Sequence, residues 1–345
     1  MRSILTLPAL ALLGAAAPPT DPAPHVGGRV IADDGAWVFG WPGTYFESRF
    51  RGTAIGVRIE APAEHMRLLV DGEEKMVLKR AGRGEILLGG LADGEHSVRL
   101  EKMTESQSGG GRFLGFFVPP GGALLPASAR PRQIEFIGDS FTVGYGNTSA
   151  SRTCTDREVH DTTDTQSAFG PLLAKRLDAD YRINAYSGFG MVRNYNGTSR
   201  GLSLPAIYPR LKPDEAGHVE GSDPAWRPQV IVINLGTNDF STALNPGEPW
   251  RDAEALKAAY RARYVGFVRE LRARQPQARF VLMGSDLFFA EVERVAAAFG
   301  KADAGRIVTL RFDGLDYAGC HSHPSLADDR KLADLLAGTI GPLRP

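Results

Sequence analysis

Four positions in the second half of the sequence carry the groups that acyl transfer requires: Ser140, Gly188, Asn238 and His323. Acyl transfer needs a nucleophile, a base that takes its proton, and donors directed at the oxyanion that forms on the carbonyl oxygen. A serine hydroxyl, an imidazole, a backbone N–H group at a glycine and an asparagine amide supply that set. The four residue types therefore point to acyl-transfer chemistry, provided that the fold brings them together.

A parallel sheet would bring these positions to one edge. Strand-like apolar runs alternate with helical stretches at 165–177 and 252–274 and with a last helix that begins near Ser325. The predicted strands are 133–137, 181–185, 230–235, 279–283 and 307–312. This alternation indicates an α/β domain with a parallel sheet flanked by helices. Ligands bind such sheets at the carboxyl ends of the strands, which is where the four positions fall.

The first part of the chain follows a different pattern. Apolar and polar residues alternate at 55–60 and 66–70, and the pairs Asp71-Gly72 and Asp93-Gly94 are typical of hairpin turns. Short strands with glycine-rich turns predict an antiparallel, jelly-roll-like β-sandwich. We expect this sandwich domain at 24–127 and the α/β domain at 130–345.

A group of aromatic residues lies early in the sandwich region. Such side chains could form a platform on which a sugar stacks, but more often they are sandwich core, which is the interpretation we favour. The group consists of Trp37, Phe39, Trp41, Tyr45 and Phe46.

The amino terminus has the composition of an export signal. Arg2 precedes an apolar run that ends in three alanines before Pro18, as at a signal-peptidase site. The run is too short to span a bilayer comfortably. We therefore expect a signal peptide at 1–17 and an exported chain, periplasmic or extracellular. The alternative is an apolar amino terminus on a cytosolic protein.

The sequence contains two cysteines, Cys154 and Cys320. In an exported protein such a pair tends to oxidise, so we expect a disulfide between them. The chain-entropy account gives a cross-link over so long a loop roughly 5 kcal/mol of stabilisation. The alternative is two unrelated buried thiols.

Composition limits the partners. The 345 residues include 40 basic and 40 acidic side chains, and 43% of the residues are hydrophobic. Nucleic acids and acidic membranes call for a clustered basic excess, which this chain lacks. We expect an uncharged substrate, no nucleic-acid partner, no membrane partner after signal cleavage, and a monomer.

The segments around the four positions resemble the sequence blocks of the SGNH (GDSL-type) hydrolases, in that family's order. These blocks are Gly138-Asp139-Ser140, the glycines at 188–190, Gly236-Thr237-Asn238-Asp239 and His323-Pro324. The further segments 144–147, 193–197 and 319–324, behind a sandwich, are similar to carbohydrate esterase family two. Members of that family are two-domain deacetylases of plant cell-wall polysaccharides. The resemblance covers nearly all of the mature chain.

This resemblance implies a role for each residue. Ser140 would be the nucleophile, and His323 would be the general base and acid. The N–H groups of Ser140 and Gly188 and the side chain of Asn238 would form the oxyanion hole. The implied substrate is an acetylated carbohydrate of the acetylxylan or acetylglucomannan type, cleaved through an acetyl-Ser140 intermediate without a cofactor.

One position departs from the SGNH pattern. These hydrolases usually carry an acid three residues before the histidine, and here that residue is Cys320. A thiol cannot hold an imidazolium as a carboxylate does. Some family-two deacetylases lack this acid and orient the histidine with a backbone carbonyl. We therefore expect a Ser140–His323 dyad, with Asp316 or Asp313 as the alternative orienting residue.

Four other interpretations remain to be weighed at this point. The chain could be an SGNH lipase or thioesterase for longer acyl chains, or a carbohydrate-binding protein that has lost catalysis. Each of the four positions, taken alone, is also compatible with a helix cap or a turn. His321 and His323, with His160 as a further candidate, could ligate zinc, but no third ligand stands at a telling spacing, so we expect no metal.

Overall fold

The alternating residues of the first part of the chain form two antiparallel sheets. The computed structural model describes residues 21–343 except 222 and 304, so the predicted signal peptide at 1–17 lies outside the described residues. The strands are β1 His25–Gly27, β2 Val30–Asp33, β3 Ala36–Phe39, β4 Tyr45–Arg51, β5 Ala54–Ala61, β6 Met66–Val70, β7 Glu73–Leu78, β8 Gly82–Gly89, β9 Glu95–Lys102, β10 Gly111–Phe117 and β11 Ala123–Leu125. One sheet has the order β1-β4-β9-β6-β7 with β11 on β4, and the other has the order β2-β3-β10-β5-β8.

The hairpin turns explain the register of this sandwich. Asp71 (φ 54°) and Gly72 (φ 79°) both have positive φ, as the tight turn between β6 and β7 requires. Met66 therefore pairs with Leu78, and Leu68 pairs with Met76. The apolar face of each sheet is buried in one shared core, so the predicted antiparallel sandwich is confirmed.

The second part of the chain forms the predicted parallel sheet. Its strands are β12 Arg132–Gly138, β13 Ala179–Ala185, β14 Val230–Asn234, β15 Arg279–Ser285 and β16 Ile307–Phe312, in the order β13-β12-β14-β15-β16. All neighbouring pairs in this sheet are parallel. The chain runs from β12 to β13 on one side and then crosses to β14 on the other. This reversal creates a crevice at the carboxyl ends of these three strands.

Eight helices flank the parallel sheet or lie in its loops within the described residues. They are α1 Ser140–Val143, α2 Asp156–Thr162, α3 Phe169–Arg176, α4 Leu204–Ile207, α5 Thr237–Phe240, α6 Ala253–Arg274, α7 Phe289–Ala297 and α8 Leu326–Ile340. The last helix begins next to Ser325, as predicted, and Ser325 is its N-cap: its side chain accepts a hydrogen bond from the N–H of Asp328, whose carboxylate accepts one from the N–H of Ser325. No helix in the described part of the chain is both long enough and apolar enough to cross a membrane.

The early aromatic residues are buried, as predicted for core rather than for a sugar platform. Phe39 and Phe46 lie in the sandwich core, and the half-buried Trp37 packs against it. The expectation that all five are sandwich core is wrong for two of them. Trp41 and Tyr45 belong to the two cores of the α/β domain, because both side chains reach across the domain interface.

The interface between the domains is rich in buried polar contacts. The hydroxyl of Tyr45 donates to the carboxylate of Asp180 over 2.8 Å, and the guanidinium of Arg99 lies 3.5 Å from the ring centroid of Tyr45. Arg67 in β6 pairs with Asp164 at 2.5 Å. These contacts fix the sandwich against the edge of the parallel sheet where β13 lies.

Candidate active site

A tight connection between β12 and α1 presents Ser140. Asp139 caps the helix, because its Oδ1 accepts a hydrogen bond from the N–H of Phe141 over 3.1 Å. A Cβ at Gly138 would lie 1.9 Å from Oγ1 of Thr142, so the close approach of strand and helix requires glycine there. Ser140 is thus the first residue of a helix that begins directly at the carboxyl edge of the sheet.

His323 contacts the Ser140 hydroxyl directly. Its Nε2 lies 2.8 Å from Ser140 Oγ, and its Nδ1 lies 3.0 Å from the carbonyl oxygen of Cys320. A carbonyl oxygen can only accept, so Nδ1 carries the proton of the neutral ring. The lone pair on Nε2 is therefore free to accept the Ser140 proton. This is the arrangement of a nucleophile and its general base.

Burial keeps the imidazole of His323 uncharged. Desolvation lowers its pKa to about 4, which outweighs the opposing effect of the hydrogen bond to Cys320. Tyr145 covers one side of the ring, with 4.2 Å between the ring centroids. The histidine is thus in the neutral, proton-accepting form across the usual pH range.

A cross-linked loop holds the carbonyl that orients His323. A disulfide joins Cys154 to Cys320, over a sequence separation of 166. His321 (φ 51°) and Ser322 (φ 58°) both occupy the left-handed region, which costs free energy for non-glycine residues. The ring of His321 counters this cost by accepting from the Tyr145 hydroxyl (2.9 Å) and donating to the Cys154 carbonyl (2.8 Å).

The two alternative orienting aspartates do not contact the histidine. The carboxylate of Asp316 accepts from the N–H of Ala318 over 2.8 Å. Asp313 contributes its backbone carbonyl, which accepts from the Lys331 ammonium over 3.0 Å. Within the described residues, the hydrogen-bond partners of the His323 ring are Ser140 and Cys320.

Candidate oxyanion donors stand at the ends of the neighbouring strands. Gly188 follows β13 with φ 81°, and no atom lies within 4 Å of the position that a Cβ would take there. None of the described residues accepts a hydrogen bond from the N–H of Ser140 or Gly188. The Asn238 amide, after β14, donates to the carbonyl of Phe189 over 2.9 Å, which places it next to Gly188. Its other contact, to Asp139, is long at 3.4 Å.

Two buried carboxyls, those of Asp139 and Asp239, brace the turns at this edge of the sheet. Burial raises the pKa of Asp139 to about 7, and that of Asp239 to about 6. Asp239 accepts three backbone N–H groups of Met191–Arg193, over 2.8 to 2.9 Å. These bonds fix the loop that follows Gly188. Both aspartates therefore cap and brace the turns, and neither bonds to the Ser140 hydroxyl.

The histidines proposed as zinc ligands have other partners. The rings of His321 and His323 contact protein groups in the dyad and its loop. His160 groups instead with His65 and Asp161. In the described part of the chain two groups have ligand atoms within 4.8 Å of one another: His65, His160 and Asp161, and His25, Glu47 and Asp180. Both already form hydrogen-bonded pairs, such as His65 to Asp161 at 3.1 Å and His25 to Asp180 at 3.0 Å.

Sequence reasoning gave no role to some residues near the dyad. Tyr145 was part of a motif, but its stacking on His323 depends on a contact across 178 positions of sequence numbering that no local pattern encodes. The contacts of Glu105, Ser106 and Gln107 with residues 185–187 were also not foreseen. A run of three polar residues in a loop is too common a pattern to reveal them.

Comparison with known proteins gives matches over most of the chain. Residues 26–127 match the family described as Carbohydrate esterase 2 N-terminal, and residues 136–329 match the GDSL-like Lipase/Acylhydrolase family. An acetylxylan esterase / glucomannan deacetylase of Cellvibrio japonicus is 49% identical, over 93% of this chain and 91% of that protein.

Solved structures of carbohydrate esterases also match most of the chain. A carbohydrate esterase whose active site displays divergent catalytic and non-catalytic binding functions superposes with a TM-score of 0.87 and 46% identity, over 93% of this chain and 98% of that one. A family two carbohydrate esterase from Clostridium thermocellum, in complex with cellohexaose, has a TM-score of 0.81 and 29% identity, over 92% of this chain and 98% of that one.

Proposed function

We propose that this chain, which belongs to carbohydrate esterase family 2, removes O-acetyl groups from an acetylxylan or acetylglucomannan through an acetyl-Ser140 intermediate. The observation that carries the proposal is the 2.8 Å contact between His323 Nε2 and Ser140 Oγ. The Cys320 carbonyl holds the other ring nitrogen as a donor, so Nε2 is the proton acceptor. The name of the Cellvibrio relative supports the substrate class.

In the first half of the reaction, Ser140 attacks the acetyl carbonyl. His323 takes the hydroxyl proton as the Oγ–carbon bond forms and negative charge moves to the carbonyl oxygen. The N–H groups of Ser140 and Gly188 and the amide of Asn238 would donate to that oxygen. Collapse of the intermediate breaks the bond to the sugar oxygen, which leaves with the proton from His323.

In the second half, water replaces the sugar. His323 takes a proton from the water, whose oxygen attacks the acetyl group on Ser140. The tetrahedral intermediate then releases acetate, and His323 returns the proton to Ser140 Oγ. The chain's own residues account for each proton transfer.

Acetate release tests the nucleophile and the substrate class. We expect the wild type to release acetate from acetylated xylan and glucomannan, and Ser140→Ala to lose this activity. Ser128→Ala is the matched control, because Ser128 is exposed in the segment that links the two domains. Unchanged acetate release by Ser140→Ala would refute the mechanism. Faster cleavage of p-nitrophenyl decanoate than of the acetate would favour the longer-chain lipase or thioesterase instead.

The orienting group has its own test. We propose a dyad in which the Cys320 carbonyl orients His323, because neither alternative carboxylate bonds to the ring and that of Asp316 accepts from Ala318 instead. Asp316→Asn and Asp313→Asn should each keep near wild-type kcat, whereas His323→Ala should not. A loss of several orders of magnitude in either aspartate variant would restore a triad.

We also propose that the protein is exported. The disulfide between Cys154 and Cys320 supports this, because such bonds persist in oxidising compartments. Cell fractionation with amino-terminal sequencing of the mature protein tests the proposal. Recovery of the full-length chain in the cytosol, with both thiols free to alkylate, would contradict it.

A further inference from the structure

One loop of the sandwich domain contacts the strand end that carries Gly188. This loop, residues 103–110, connects β9 to β10, and three consecutive side chains in it bond to residues 185–187. Ser106 Oγ donates to the carbonyl of Ala185 over 2.9 Å. Gln107 Nε2 donates to the carbonyl of Ser187 over 3.0 Å, and Glu105 accepts from the Ser187 hydroxyl.

A buried ion pair holds this loop at both ends. The ammonium of Lys102 pairs with Glu64, and both side chains are fully buried. Lys102 also donates to the carbonyls of Thr104 (2.9 Å) and Glu105 (2.8 Å) at the start of the loop. Glu64 accepts from the N–H of Gly110 at its end, over 2.7 Å. The three contacting side chains thus extend from a fixed backbone.

The contact of Gln107 bears directly on the proposed oxyanion hole. The carbonyl of Ser187 and the N–H of Gly188 are the two ends of one planar peptide group. In a trans peptide these two bonds point in opposite directions, so fixing the carbonyl also fixes the direction of the N–H. The hydrogen bond to the carbonyl further polarises the group and makes its N–H a better donor.

The following peptide group is fixed as well. The carbonyl of Gly188 accepts from the N–H of Tyr195 over 2.8 Å. Gly188 has φ 81°, in the region that glycine adopts more readily than other residues. Its backbone is also more flexible than that of other residues. The contact from Gln107 restrains that freedom on the side of the reacting N–H.

From these contacts we infer that Gln107 of the sandwich domain is a positioning residue for catalysis: it orients the Gly188 N–H toward the oxyanion. Glu105 bonds to the side chain of Ser187 and Ser106 to the carbonyl of Ala185, so both hold the same turn. The inference rests on the proposed role of Gly188. It gives the sandwich a part in the reaction beyond packing.

The test replaces Gln107 with methionine, which has a similar shape and no donor. Gln107 is exposed, so we expect the variant to fold. The matched control is Ser108→Ala, in the same loop. Kinetics are measured on an acetylated xylo-oligosaccharide and normalised to the fraction of active enzyme titrated with a fluorophosphonate.

The expected result separates orientation from binding. For Gln107→Met, kcat should fall about 10-fold with KM nearly unchanged, which is less than the roughly 100- to 1000-fold cost of removing a donor outright. The inhibition constant of methylboronic acid, which forms a tetrahedral adduct with a serine, should rise by the same factor. The melting temperature and all constants of Ser108→Ala should stay at wild type.

Two results would overturn the inference. One is wild-type kcat and boronate inhibition in Gln107→Met. The other is a raised KM with unchanged kcat, which would make Gln107 a substrate contact. These results count against the inference only if Ser140→Ala is inactive in the same assay. If Ser140→Ala still released acetate, the proposed function itself would have failed.

Discussion

The low pKa of His323 predicts an unusually acid-tolerant enzyme. Only the neutral ring can take the Ser140 proton, and kcat/KM reports the protonation state of the free enzyme. Burial lowers the pKa of this ring to about 4. An imidazole in water has a pKa of about 6.5, so the site disfavours the imidazolium by roughly 3 kcal/mol. We therefore expect protonation of His323 to halve kcat/KM only near pH 4, and any smaller change between pH 7 and pH 5 to come from Asp139 and Asp239, which titrate there.

The contrast with an unperturbed histidine is large at pH 5.5. There a ring with a pKa of about 6.5 is only about one-tenth neutral, whereas the ring of His323 would be almost wholly neutral, a difference of about 10-fold in activity. The assay is kcat/KM for an uncharged acetyl ester between pH 3.5 and pH 8. Samples held at each pH and returned to pH 7 serve to exclude unfolding. A midpoint near 6.5 that Asp139→Asn and Asp239→Asn both retain would refute the reasoning.

A variant isolates the cause. Tyr145 stacks on the imidazole at 4.2 Å, so Tyr145→Ala should rehydrate the ring and move the acid midpoint upward, by about one pH unit. Tyr145→Phe keeps the ring while losing the hydroxyl that bonds to His321, and its midpoint should stay near 4. If both variants moved the midpoint equally, the bond to His321 rather than burial would set the pKa.

The remaining predictions concern the disulfide and the oxyanion hole. Cys154→Ser should lower the free energy of unfolding in urea by up to about 5 kcal/mol and also lower kcat, because it frees the loop of Cys320; unchanged stability would contradict the loop-closure argument. Asn238→Ala should lower kcat about 100- to 1000-fold with little change in KM, as measured on p-nitrophenyl acetate. Gly146→Ala should lower the melting temperature, because its Cβ would lie 2.4 Å from that of Cys320 at a φ of 54°; a wild-type melting curve would contradict this.

The sequence predicted the elements wherever local signals determine them. The start of the last helix near Ser325 and the Asp71-Gly72 turn need only neighbouring residues, and both are present as predicted. The helix predicted at 165–177 begins later, at Phe169, after a short 3₁₀ turn. The N–H of Phe169 donates to Oδ1 of Asp329 over 3.0 Å, so a contact with α8 decides where this helix starts. Pro171, which is disfavoured in a helix interior but tolerated in the first turn, was a local signal for the later start, whereas the contact with Asp329 was not.

Some residues of the candidate site could likewise be predicted from the sequence, and others could not. Ser140 and Asn238 follow strands, and a parallel sheet necessarily brings such positions to one edge. The group that orients His323 could not be predicted from the sequence pattern. It is a backbone carbonyl, and every residue has one, so no residue type reveals it. The contribution of Gln107 was equally hidden, because the domain that carries it was predicted from alternation alone and its docking depends on long-range contacts.

In the described part of the chain no carboxylate bonds to His323, which would place the energetic demand on the proposed oxyanion hole. The Cys320 carbonyl fixes the tautomer and the orientation of the ring, but it carries no charge to stabilise the imidazolium that forms as Ser140 attacks. With a resting pKa near 4, that imidazolium costs roughly 3 kcal/mol more than it would in water. One well-placed oxyanion donor contributes about 3 to 4 kcal/mol, so the donors have to supply what a triad aspartate would. Catalysis should therefore be more sensitive to the orientation of the Gly188 N–H here than in a triad enzyme, and we expect a contact as remote as that of Gln107 to affect the rate.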